Sequence, residues 1–437
     1  MNLKKIVDHA AGIDIGAEKI FIATENQKVQ VFNTFTIGYL EAIGFLRSEN
    51  ILTVAMEATG VYWIPLYDML EDAGFKVFLV NGAHVKNVPG RKSDVKDCQW
   101  IQQLHSYGLL RSSFIPTQEI RELRTFTRLR EDHIESSVRS INHIHKALDL
   151  MNIKLQYVIS QIQGTSGMRI VRAILAGEFD PALLSELCET QILKKKKNEV
   201  IESLKGNYKK EYLFLLRSAV ETYDFFGSQI EKCDLQIGNL LNSITQCLEK
   251  PEKSISEPKP IRHHKPNIQN FHEKIFMMTS GRDVSQIVGL TDLSVMKLLA
   301  EVGTNVDAWK TEKHFTSWLG LAPNIHQSGN TRKRKGRRPK TLAGQIFREA
   351  ATSIGQSKYL ALGGFYRRIK ARSGAMVANV ATARKIAVLF YNTLKFGSNY
   401  VEEGLLKYEE RYKEQMQKGL MKKAEKLGFQ LVPILAK

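Results

Sequence analysis

Residues 11–24 read AGIDIGAEKIFIAT. Two apolar runs, 11–15 and 19–24, meet at Gly16, the pattern of two strands joined by a tight turn. Asp14 stands in the middle of the first run. A carboxylate buried in a strand without a partner is costly, so its presence points to chemistry rather than packing. Downstream, 28–34 (KVQVFNT) alternates as a third strand and 38–48 reads as a helix. Residues 51–56 (ILTVAM) have the composition of a buried strand that ends at Glu57, 61–73 reads as a helix, 75–80 (FKVFLV) as a strand and 92–108 as a helix.

The resulting order, βββαβαβα, predicts a mixed α/β sheet flanked by helices. It is the element order of RNase H/RuvC-like nuclease domains. In such a sheet the first and fourth strands are neighbours and the closing helix crosses beside them. Asp14, Glu57 (in AMEATG), Asp94 and Asp97 (in KSDVKD) are then expected to converge, the last two sharing a helical face by their i, i+3 spacing. Each has an ordinary alternative: Glu57 fits a loop residue or helix cap, and Asp94 and Asp97 fit charges favoured at a helix N-terminus. Clustered carboxylates repel one another and call for cations. Oxygen donors select hard divalent ions, so Mg²⁺ or Mn²⁺ is the expected cofactor and these four residues the expected metal ligands.

The chain has 437 residues and a formal net charge of +18, which favours a polyanionic partner, usually nucleic acid. The four cysteines (Cys98, Cys188, Cys233, Cys247) form no CxxC pair and no zinc-type cluster. A reduced, cytoplasmic setting is expected. There is no signal-peptide-like apolar region and no apolar run of about 18 residues, so no membrane association is expected.

After a RuvC-like domain at 1–115, a helical, coiled-coil-like spacer is expected over 116–249. Ile134, Val138, Ile141, Ile144, Leu148 and Met151 recur at three- and four-residue steps, as do Tyr223, Phe226, Ile230, Ile237, Leu241, Ile244 and Leu248. These stretches fit either an oligomerising arm or two packed helices of one bundle. Residues 250–270, with four prolines and many charges, have a linker's composition. A helical domain is expected at 271–400 (helices over 284–302, 311–319, 341–354, 361–372 and 376–396) and a charged helical tail at 401–437.

Within LGLAPNIHQSGNTRKRKGRRPK (319–340), a polar loop is expected to carry Ser328 ahead of Arg332, Lys333, Arg334, Lys335, Arg337, Arg338 and Lys340. Seven basic residues in ten (331–340) make a phosphate-binding surface. Nearby cations favour a serine alkoxide and stabilise charge on phosphorus, although SGN is also a common turn. Upstream, 284–303 resembles a degenerate helix–hairpin–helix whose Gly289 turn would offer backbone amides to a DNA phosphate.

GIDIG, AMEATG, GRKSDVKD, LLAEVG and WLGLAPNIHQSG occur in that order. Together they resemble the DEDD transposases of the insertion-sequence one-ten (IS110) family, eleven-eleven subgroup included, also called bridge-RNA recombinases. The stretch from SGMRIVRAILAGEFDPALL to FLLRSAVETYDFF is similar to the spacer of longer members, and the resemblance covers about 10–395. It implies a RuvC-like domain whose DEDD tetrad is Asp14, Glu57, Asp94 and Asp97. It also implies a helical transposase domain with Ser328 as nucleophile, and Mg²⁺. The implied partners are DNA (element ends, a circular donor and a target) and a noncoding guide RNA. A homo-oligomer (dimer or tetramer) with composite sites and a bacterial, nucleoid-associated location are implied as well. SGRDVSQIVGL (280–290) departs from the family's usual IPGIG-like hairpin. Two alternatives stand beside this: a metal-dependent RuvC-like endonuclease without serine chemistry, and a non-catalytic nucleic-acid-binding protein on a decayed nuclease fold.

Overall fold

A computed structural model describes residues 5–25, 29–58, 60–82, 94–249, 251, 255–323, 325–328, 331–334, 341–397 and 405–430. The chain divides into two compact units, Met1–Ile115 and Pro116–Lys437.

The first unit is built on a five-stranded sheet. Its strands are β1 (Ala10–Ile15), β2 (Lys19–Ala23), β3 (Val29–Asn33), β4 (Thr53–Glu57) and β5 (Lys76–Val80), in the order β3-β2-β1-β4-β5. The three N-terminal strands form an antiparallel meander, while β1–β4 and β4–β5 pair in parallel. This is the mixed sheet that the element order predicts. Period-two alternation sorts its faces. Ile13, Ile15, Ile20, Ile22, Val54, Met56 and Leu79 pack into one core with buried residues of α1 (Thr36–Ser48) and α2 (Trp63–Asp72). The other face carries Ala55 and Val80, which pack with Ile101 of α3 (Asp94–Ser106).

Helix α3 presents Cys98, Ile101, Gln102 and His105 at three- and four-residue steps, all buried. It lies directly on β1 because Gly12 has no side chain: a Cβ there would collide with the backbone of Gln102 and Cys98. The Gln102 amide donates to the Ala10 carbonyl at 3.3 Å and to Ser106 Oγ at 2.9 Å. Farther along, His105 Nε2 and Thr53 Oγ1 are 2.9 Å apart. Burial, then the Lys76 ammonium, pushes the His105 imidazole down to about 4, so it stays neutral.

In the second unit, α4 (Gln118–Leu150, 33 residues) packs along α8 (Lys210–Gln246, 37 residues). At 1.5 Å per residue these are rods of about 50 Å or more. Of the residues expected on the seam, Ile134, Ile144, Leu148, Met151, Ile237 and Leu241 are buried, joined by Ser137, Ser140 and Thr245, while Val138 and Leu248 are exposed. Leu248 lies beyond the end of α8 at Gln246. Inside the seam Arg130 and Asp234 form a buried ion pair (Nε–Oδ1 2.5 Å). The same groups fasten the proline-containing segment: Arg130 donates to the His264 carbonyl at 3.0 Å, and the Asn267 N–H donates to Asp234 at 3.0 Å.

Between α4 and α8 lie α5 (Thr165–Ala176), α6 (Pro181–Ser185) and α7 (Thr190–Ser203), gathered on a core that includes Leu148, Ile170, Val171, Leu184, Val200 and Leu216. After the proline-containing segment come α9 (Phe271–Met278), α10 (Asp292–Val302), α11 (Glu312–Trp318), a hairpin of β6 (Ile325–Ser328) and β7 (Thr331–Arg334), α12 (Leu342–Gln356), α13 (Ala361–Ser373), α14 (Ala375–Phe396) and α15 (Leu405–Lys426). Phe315, Phe347 and Phe390 form its aromatic centre, with ring centroids 5.5–6.4 Å apart. Among the described residues no helix is long and apolar enough to cross a membrane.

Candidate active site

Register places the first two carboxylates. Ile13 pairs with Met56 across the parallel β1–β4 ladder, so the next residues, Asp14 and Glu57, stand side by side. Ile13 and Met56 belong to the α1/α2 core. By alternation Asp14 and Glu57 therefore project from the opposite face, the one that α3 covers. Both lie at C-terminal strand ends, where open α/β sheets leave room for ligands. Gly82, just after β5, keeps that room: a Cβ on it would collide with the Glu57 carboxylate.

Helix α3 supplies the other two. Asp94 and Asp97 occupy its first turn, where the helix dipole favours negative charge. They continue the stripe of Cys98, Ile101 and Gln102 that faces β1, and the close approach at Gly12 holds that stripe down. Electrostatics register the convergence. The Asp14 carboxyl is pushed up from the ordinary value of 3.8 to about 6, first by burial and then by Asp94, Asp97 and Glu57. The adjacent Cys98 thiol is pushed up to about 12 by burial and by Asp14. It donates to the Val95 carbonyl at 3.1 Å and is no nucleophile near neutral pH.

Four oxygen-donor side chains thus share a site with surplus negative charge, a donor set that fits a hard divalent cation. Among the described residues no three His, Cys, Asp or Glu side chains already stand where one ion would bind them together.

Ser328 belongs to the second unit. The polar loop expected around it is a hairpin in part: Ser328 ends β6 and pairs with Thr331 at the start of β7, where Arg332, Lys333 and Arg334 follow. The signal for this was in the sequence, since a Gly-Asn dipeptide between two runs is a hairpin signature. Lys335, Arg337, Arg338 and Lys340 lie outside the described residues. The base of this excursion is closed: Thr341 Oγ1 donates to the Leu319 carbonyl at 3.3 Å and accepts from the Gly344 N–H at 3.0 Å. Gly344 has no room for a Cβ beside the Leu319 carbonyl, and Arg348 donates to the Gly320 carbonyl at 3.3 Å. Upstream, Gly289 has φ +81°, in a turn closed by Leu290 N–H to the Ile287 carbonyl at 3.0 Å. Lys259 Nζ donates to that same carbonyl at 3.0 Å.

Sequence reasoning missed Gly12, Gly82 and Gly344, each marking a close approach, and the Arg130–Asp234 pair.

Two family models match the chain. The model DEDD_Tnp_IS110, described as Transposase, matches residues 11–153, a span containing all four carboxylates. The model described as Transposase IS116/IS110/IS902 family matches residues 282–354, a span containing Ser328 and the basic run. No curated protein gives a significant match.

Proposed function

The chain belongs to the IS110 family of DEDD transposases, enzymes that cut and rejoin DNA, and we propose that it does so by metal-assisted serine attack on phosphodiesters, guided by an RNA from its own element. The observation that carries this reading is the crowding of Asp14 by Asp94, Asp97 and Glu57, an arrangement with no packing rationale and with a clear use at a cation. Asp14, Glu57, Asp94 and Asp97 would hold Mg²⁺ or Mn²⁺, which when bound supplies charge neutralisation at the scissile phosphate.

Ser328 Oγ forms a bond to phosphorus, the bond from phosphorus to a deoxyribose oxygen breaks, and the serine proton ends on that leaving oxygen. The phosphoserine keeps the energy of the phosphodiester, so rejoining needs no ATP. Arg332, Lys333, Arg334, Lys335, Arg337, Arg338 and Lys340 hold the DNA backbone and offset charge that builds on phosphorus. The working assembly is a homo-oligomer, a dimer or a tetramer.

The test is strand cleavage of element-end DNA in Mg²⁺, with protein–DNA adducts trapped by denaturation. Asp14→Asn is expected to abolish cleavage, and Ser328→Ala to abolish adducts while DNA and RNA binding survive. Adducts that persist in Ser328→Ala reject the serine. Full cutting without adducts would make the protein a RuvC-like endonuclease that uses water.

A further inference from the structure

The segment between the two long helices of the second unit carries a feature that neither DNA cleavage nor the serine hairpin uses. Helix α7 contains four consecutive lysines, Lys194–Lys197, all exposed. It is anchored from its other side by Ile192, Leu193 and Val200, which pack on the core around Leu148 and Leu216. The helix breaks its regular geometry inside the run, at Lys196 (φ −141°, ψ 22°). There the Lys196 ammonium turns back to donate to the Val158 carbonyl at 3.0 Å. Among the described residues Lys194, Lys195 and Lys197 make no ion pair, and neither does Glu199, the acid next along the helix. Three exposed ammonium groups outside any ion pair thus form a local cationic patch that attracts a polyanion.

The Lys196–Val158 bond joins this run to an aromatic side chain. Tyr157, the neighbour of Val158, is 75% exposed. Its N–H donates to the Lys154 carbonyl at 3.0 Å, which fixes the backbone on which the ring is displayed. Ammonium groups that track phosphates beside an uncovered ring are the physical components of a single-strand platform, in which an unpaired base stacks while the backbone runs over the cations. A duplex would satisfy the lysines but keeps its bases paired and inside, leaving the ring without a partner. RNA offers unpaired loops whose bases are free to stack on an aromatic side chain.

We propose that Tyr157 and the α7 lysines form a docking surface for an unpaired loop of RNA. The inference rests on the reading that this transposase is RNA-guided, and it names where on the second unit the RNA is gripped.

The experiment uses the full chain and three labelled probes: an RNA hairpin with an unpaired loop of about ten nucleotides, a single-stranded DNA of the loop sequence, and a duplex DNA. The variants are Lys194→Ala/Lys195→Ala/Lys197→Ala, Tyr157→Ala and Tyr157→Phe. Each lysine that neutralises a single-strand phosphate adds about 0.7 to the salt slope. The triple variant is expected to lose about 2 from the slope for the RNA hairpin and at least tenfold in affinity at physiological salt. Tyr157→Ala is expected to lose about tenfold, the scale of one base–aromatic stack, with an unchanged slope, and Tyr157→Phe to restore it. Duplex binding stays as in wild type. Wild-type RNA affinity and slope in the triple variant would overturn the proposal, as would an equal loss on duplex DNA or on single-stranded DNA. Those results leave DNA cleavage by the wild type untouched, whereas a wild type that cleaves no DNA refutes the broader reading instead.

Discussion

The backbone of Gly12 in β1 lies against that of Gln102 in α3 with no space for a methyl group between them. The contact sets how far Asp94 and Asp97 stand from Asp14, because all three extend from the same strand–helix interface. Gly12→Ala is expected to push α3 off the sheet, costing about 1–3 kcal/mol as overpacking does. It should also lower Mg²⁺-dependent cleavage by at least about tenfold, through misplacement of groups that must act together. Urea unfolding and a cleavage assay on the same preparation check this, and wild-type values in both would refute the proposed role of the contact.

Asp14 should leave a signature in stability against pH. Its carboxyl titrates near 6 in the folded protein and near 3.8 when free. Between those values the folded state binds the extra proton, so this group's stabilising contribution is present at about pH 4 and lost as pH rises through 6. In chelator, Asp14→Asn is therefore expected to gain stability relative to wild type as pH goes from 4 to 7. His105 works the other way: its folded value near 4 lies below the ordinary 6.5, so its contribution is lost as pH falls toward 4. Denaturant titrations of both proteins across that range decide the matter. A variant that loses ground as pH rises would mean that Asp14 is not crowded by its neighbours.

The Arg130–Asp234 pair is 1% and 5% exposed at its side chains. Arg130→Met leaves an uncompensated buried carboxylate and should cost about 3–5 kcal/mol. Arg130→Met/Asp234→Leu should recover most of that loss. Because the pair also holds His264 and Asn267, the single variant should be cut by protease within 255–267 faster than wild type. If the double variant is no more stable than the single, the penalty does not come from the stranded charge.

For duplex DNA each phosphate neutralised contributes about 0.9 to the slope of log affinity against log salt. Removing Arg334 and Arg338 together should flatten that slope by about 1.8. A slope equal to wild type, measured by fluorescence anisotropy over a salt series, would place the run away from the DNA backbone.

Much of the first unit was legible because period-two alternation and a single odd residue, Asp14, are local signals. They marked the strands and Asp14, while the neighbourhood of Glu57, Asp94 and Asp97 followed from the order of the elements and from the family resemblance. The Gly12–Gln102 contact was not legible, since closeness is a property of two residues and either one alone looks ordinary. Arg130 and Asp234 are 104 positions apart, and each reads alone as a charge on a solvated helix face. The proline-rich composition of 250–270 is shared by free linkers and by segments tied down through backbone groups, and only the His264 and Asn267 hydrogen bonds tell the two apart. Around Ser328 the SGN tripeptide marks a turn, but the four-residue runs on either side of it are mostly polar and charged, a composition that reads as loop rather than strand.

The bond between Thr341 and the Leu319 carbonyl clasps together the two ends of the segment that carries Ser328. Its entry and exit are joined, so lengthening the part between them costs only the slow logarithmic entropy of a larger loop. The helices behind it need not adjust. Extra residues inserted between Ser328 and Thr331 are therefore expected to leave the helical bundle standing, whereas replacing 325–334 outright would remove Ser328 and Arg332–Arg334 with it.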